Sequence, residues 1–103
     1  MWILTRQSFV SVVRHDTDPT LLLVRARRGS DLTTLWPDAE VIATPDADYG
    51  FRAAIPEGAV VAAVGAELRG ISYKTDFKGG IREQGRHDAY MKVWSALRAL
   101  TRR

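Results

Sequence analysis

The chain has 103 residues, 46% hydrophobic and 26% charged, which leaves room for one globular α+β domain (residues 1–103) with one core. It contains no cysteine, which rules out disulfides, thiolate metal sites and cysteine nucleophiles. The net charge of +3 is unevenly placed: residues 1–66 hold six basic and eight acidic side chains, residues 67–103 nine basic and four acidic.

No run reaches the roughly 18 apolar residues that a membrane helix needs. The opening Met1-Trp2-Ile3-Leu4-Thr5-Arg6 is apolar before it is basic, the reverse of a secretory signal. These features predict a soluble cytoplasmic protein with no membrane partner.

In chain order, Ser8 to Arg14 alternates with period two and predicts a strand, which Trp2-Ile3-Leu4 either extends or caps. His15-Asp16-Thr17-Asp18-Pro19 is a turn, and Thr20 to Arg27 is a second strand, so the two make an antiparallel hairpin. Gly29-Ser30-Asp31 starts a short helix with Ser30 as the N-cap; Leu32, Leu35 and Trp36 share its face and Pro37 stops it. A third strand is expected over Glu40 to Thr44 and a fourth over Tyr49 to Ile55, with Tyr49, Phe51, Ala53 and Ile55 on one face.

Pro56 at the first helical position opens a second helix, whose apolar stripe is Val60, Val61, Val64, Leu68 and Ile71. Gly79-Gly80 and Gly85 then confine the chain to a loop with at most one helical turn. The last helix is expected from about Asp88, as its cap, to about Leu100, with Tyr90, Val93, Trp94, Leu97 and Leu100 as a buried stripe lying on the sheet. The predicted fold is a four-stranded antiparallel sheet in ββαββα order, ferredoxin-like or permuted ferredoxin-like, with helices on one face and a C-terminal helix.

No catalytic motif stands out, and the chain is read as a non-enzyme without metal or cofactor. His15 with Asp16 and Asp18, and His87 with Asp88, place histidine beside carboxylate, the residue types of a metal site or a small acid–base enzyme. A polar hairpin loop for the first group and a helix-capping aspartate with a surface histidine for the second are the better account. Arg25, Arg27 and Arg28 before Gly29-Ser30 could hold a phosphate, but without Walker-type spacing they read as the solvated face of a strand guarding a sheet edge.

The best candidate for a partner surface is Tyr73, Lys74, Phe77, Lys78, Arg82 and Arg86, continued by Lys92 and Arg98, because aromatics interleaved with cations can stack bases and meet phosphates. The bland alternative has Tyr73 and Phe77 plugging the loop onto the core. Exposure of Tyr73, Phe77, Trp2 and Trp36 would favour a protein-binding patch. Open sheet edges also leave room for a homodimer.

Several runs carry a resemblance: Thr5-Arg6-Gln7-Ser8-Phe9-Val10-Ser11-Val12-Val13-Arg14-His15, Leu22 to Arg27, Thr44-Pro45-Asp46-Ala47-Asp48-Tyr49, the Tyr73…Phe77-Lys78 loop, and Arg86-His87-Asp88-Ala89-Tyr90…Val93-Trp94. In these the chain is similar to small uncharacterised proteins of mycobacteriophages and other actinobacterial phages. Where those proteins carry an asparagine before the loop phenylalanine, this chain has Asp76, followed by Gly79-Gly80. The resemblance implies a phage accessory protein in the host cytoplasm and brings no active site. Binding a host protein is the leading expectation, with nucleic-acid binding through the basic C-terminal face as the alternative. A small enzyme built on His15 and His87 comes last.

Overall fold

Alternating apolar residues in the first half of the chain become strands wherever a turn lets them pair. A computed structural model describes residues 1–73 and 77–101. The elements are β1 (Trp2–Leu4), β2 (Phe9–Arg14), β3 (Leu21–Ala26), α1 (Gly29–Leu35), β4 (Ile42–Ala43), β5 (Phe51–Pro56), α2 (Glu57–Arg69), α3 (Phe77–Gly80) and α4 (Gln84–Leu97). A 3-10 turn, Arg98–Thr101, continues α4. The chain divides into two compact units, Met1–Ile71 and Ser72–Arg103.

In the first unit the strands form one antiparallel sheet in the order β1-β2-β3-β5-β4. The expected four strands are therefore five. Trp2–Leu4 pairs with Phe9–Ser11 as a separate edge strand, because Thr5 to Ser8 closes a tight turn. In that turn the Thr5 N–H donates to the Ser8 carbonyl at 2.8 Å, and the Ser8 N–H donates to Thr5 Oγ1 at 3.0 Å. The third expected strand shrinks to Ile42–Ala43 at the opposite edge.

Period-two alternation sends Val10, Val24, Ala26, Ala53 and Ile55 to one face, where they pack with Leu32, Trp36 and Val60 from the two helical segments into a single cluster. Each fully buried Val, Leu or Ile side chain contributes about 1.5–3 kcal/mol through water release. Tyr49 departs from the expected pattern. It precedes β5 in a bend, and its ring meets Phe9, Arg25 and Arg27, which lie on the face away from this core.

Helix boundaries moved for identifiable reasons. Arg28, not Ser30, occupies the N-cap position of α1, with no side-chain cap. Asp31 in its first turn is buried instead and accepts the Phe9 N–H at 2.8 Å, stitching the helix start to β2. In α2 only Val60 of the expected stripe is fully buried, and Val61, Leu68 and Ile71 stand about two thirds exposed. A 13-residue helix laid against the six-residue strands β5 and β3 finds cover for one narrow line of side chains, here Val60, Ala63 and Val64.

In the second unit α4 begins at Gln84, four residues earlier than expected. Asp88 lies inside the helix, where its carboxylate accepts from Gln84 Nε2 at 2.8 Å, an i,i+4 contact, rather than capping it. Tyr90 is buried, stacked on Phe77 at 5.3 Å with the rings 10° from parallel. The expectation of a stripe buried along its whole length is overturned: Trp94 and Leu97 are each 56% exposed and Leu100 is 80% exposed. One short turn, α3, supplies the ring that covers Tyr90 and reaches no further along a helix that rises 1.5 Å per residue.

Candidate binding surface

The loop and helix residues that suggested a partner surface meet three different fates. Tyr73 is fully exposed and Arg82 is exposed. Lys74 and the side chain of Lys78 lie outside the described residues. Phe77 is 38% exposed and holds one face against Tyr90. Arg86 is buried: its Nη1 donates to the Tyr90 hydroxyl at 2.9 Å, and its Nε lies 3.7 Å from a Glu83 carboxylate oxygen. Phe77, Arg86 and Tyr90 thus form a local clamp at the start of α4, and this arginine does not offer its charge to solvent.

Beyond the clamp the same helix changes character. Trp94, Leu97 and Leu100 recur at spacings of three residues, so they fall along one side of the helix and its 3-10 extension. Arg98 sits over the Trp94 ring, 5.8 Å from its centroid, within cation–π range. The result is an apolar ridge flanked by a cation, with an indole at its head. Sequence patterning does not find this surface, since the residue types that make a core stripe also make a docking ridge. The burial that separates them depends on what else packs there.

The histidine groups stay local. His15 Nδ1 accepts from the backbone N–H groups of Thr17 and Asp18 at 3.3 and 3.1 Å. Asp18 in turn accepts the Thr20 N–H at 2.9 Å and the Thr20 hydroxyl at 2.6 Å, and these two donors hold its carboxyl below the usual carboxylate range. This is the bonding of a closed hairpin loop. His87 lies 3.7 Å from Asp88, its chain neighbour. Among the described residues no group of three or more His, Cys, Asp or Glu gathers as a metal site would require.

Arg25 and Arg27 do not guard an edge, because β3 lies at the centre of the sheet. They stack on Tyr49 at 4.8 and 5.1 Å. A groove of about 460 Å³ runs beside α2, lined by Trp36, Ala59 and Ala63 among others, with Asp38 and Glu40 as its charged lining. Among the described residues no helix is long and apolar enough to cross a membrane. No family model matches the chain, and neither a curated protein nor a solved structure matches it.

Proposed function

We propose that this chain is a non-enzymatic, phage-type accessory protein that acts in the host cytoplasm by binding a host protein through the exposed end of its C-terminal helix. The observation that carries the reading is the ridge of Trp94, Leu97 and Leu100 left in water on consecutive turns. Contiguous apolar surface of this kind is where soluble proteins meet partners, and tryptophan and arginine are among the residues enriched at binding hot spots. An apolar helix face of this type fits a groove, with anchors at i, i+3 and beyond. Lys92 and Arg98 on the same helix favour a groove with acidic residues at its rim.

The architecture is read as a permuted ferredoxin-like sheet with one added edge strand. In support, β2-β3-β5-β4 is the order that a β-α-β-β-α-β sandwich takes when the chain starts at its second strand. Such a frame carries no activity of its own.

The test compares affinity capture from host lysate by the intact protein and by a Trp94→Ala/Leu97→Ala variant. A saturable partner retained by the first and lost by the second is the expected result. Equal recovery by both, or no saturable partner at all, removes the reading. Sedimentation over a concentration range separates a homodimer from a host partner, since self-association through the ridge disappears in the same variant without any lysate. The alternative, a nucleic acid on the basic C-terminal face, keeps Tyr73, Phe77, Arg82, Lys92 and Arg98 as its exposed described members and loses Arg86, which is spent inside the clamp.

A further inference from the structure

The strand register sets Trp2, Ser11, Arg25 and Arg52 in one row across β1, β2, β3 and β5, on the sheet face opposite the one that α1 and α2 cover. Arg25 and Arg52 are direct cross-strand partners. Like charges placed opposite one another destabilise a sheet, so the arrangement calls for a compensating group. Among the described residues none is supplied: no carboxylate there forms an ion pair with Arg25, Arg27 or Arg52. Arg25 donates to the Ser11 hydroxyl at 2.9 Å and Arg27 to the Asp48 carbonyl at 3.3 Å, both neutral acceptors. The Nε atoms of Arg25 and Arg52 are shut off from solvent with no hydrogen-bond partner. By contrast, Arg14, whose side chain points to the other face, pairs with Glu57 at 2.7 Å.

Two of these guanidinium groups, those of Arg25 and Arg27, thus converge on one ring, Tyr49, which is itself buried and serves as their platform, while Arg52 stands across from Arg25 on β5. At the end of the same row Trp2 is 67% exposed, held edge-to-face against Phe9 at 6.1 Å. The adjacent strands put Trp2 about 10 Å from the Arg25 position and about 14 Å from that of Arg52. That is the scale on which an aromatic sheet face of the RNA-recognition type carries two or three bases. Planar guanidinium forks match phosphate oxygens, and an exposed indole beside them matches an unstacked base.

We infer that this sheet face binds single-stranded nucleic acid, with Arg25, Arg27 and Arg52 meeting consecutive phosphates and Trp2 stacking a base. The inference is independent of the Trp94 ridge, which lies in the other unit. An acidic peptide would satisfy the arginines but offers nothing to the indole, and a duplex keeps its bases out of reach of a flat face.

The test is fluorescence anisotropy with a labelled oligo(dT) of about twelve nucleotides, long enough for one such face. Saturable binding at low salt is expected, with log K falling against log salt at a slope of about −2 for three neutralised phosphates. Arg52→Gln and Arg27→Gln each weaken binding and lower the slope by about 0.7. Trp2→Ala weakens binding about fivefold or more. Circular dichroism melts confirm that these variants fold, and Lys78→Gln/Arg82→Gln, in the second unit, binds as the parent does. The inference is overturned by absence of binding at low salt, or by full affinity in both Arg52→Gln and Trp2→Ala. Equal affinity for a polyglutamate peptide or a duplex of the same length overturns it as well, as does loss of binding only in the Lys78/Arg82 variant.

Discussion

The indole N–H of Trp36 donates to the carbonyl of Ala59 at 3.0 Å, tying the residue that ends α1 to the first turn of α2. Trp36 is 7% exposed and belongs to the core cluster, so one side chain both fills space and spaces the helices. Trp36→Phe keeps most of the packing and removes the bond, at a cost of about 1 kcal/mol, since the Ala59 carbonyl sits at a helix start where other donors reach it. Trp36→Ala empties the site as well and costs about 3–5 kcal/mol. Urea unfolding at unchanged m reads both. Equal losses in the two variants would mean that the indole N–H, not the ring, is what matters there.

Asp31 is a buried carboxylate that accepts the Phe9 N–H, the first amide of β2. Asp31→Ala leaves that amide without this acceptor in a part-buried place, a loss of about 1–3 kcal/mol. Asp31→Asn keeps a side-chain oxygen in the same position and costs less. In a domain of this size each kcal/mol moves Tm by about 4–8 °C, so a thermal melt orders the variants as parent, Asn, Ala. Equal losses for Asn and Ala would show that the charge, and not the acceptor, holds α1 to β2.

The Asp18 carboxyl is lowered from its ordinary value of 3.8 chiefly by the Thr20 hydroxyl, then by the Thr20 N–H. A depressed folded-state value stabilises the fold while the carboxylate stays ionised. The contribution is therefore complete above about pH 5 and fades as pH falls through 3.8 and then through the depressed value. Asp18→Asn should melt below the parent at neutral pH, and the gap should close on acidification. A gap that stays constant down to the acid limit would show that these two hydrogen bonds do not distinguish ionised from neutral Asp18.

How much of this was legible beforehand divides along contact distance. The β2–β3 hairpin and its His15–Asp18 loop were readable because both rest on neighbours in sequence, turn formers between two alternating runs. The five-strand count was hidden in Thr5–Ser8, which lacks glycine and proline and forms its turn through one threonine hydroxyl. The cross-strand pair of Arg25 and Arg52 needed the β3–β5 register, which no local pattern carries. Tyr49 fits the alternation of β5 and yet turns to the arginines, because a bend and not a strand holds it. Apolar periodicity said where α2 and α4 would be helical and did not say how far their cover would reach.

That last gap gives the sharpest prediction for α4. The periodic stripe assigns Tyr90 and Trp94 the same role, whereas the fold separates them by burial, 5% against 56% exposed. Tyr90→Ala removes the Phe77 stack and strands the Arg86 donor, and should cost about 3–5 kcal/mol, as truncation of a buried aromatic does. Trp94→Ala removes a half-exposed ring that lies beside solvated Arg98, and surface changes of that kind stay within about 0.5 kcal/mol. Chemical denaturation measures both on one scale. A Trp94→Ala loss as large as that of Tyr90→Ala would mean the indole is covered in solution, and the ridge would then be core rather than docking surface. A small loss together with loss of partner capture would assign the side chain to binding, since a residue that folding does not need is kept in water at a cost that only association offsets.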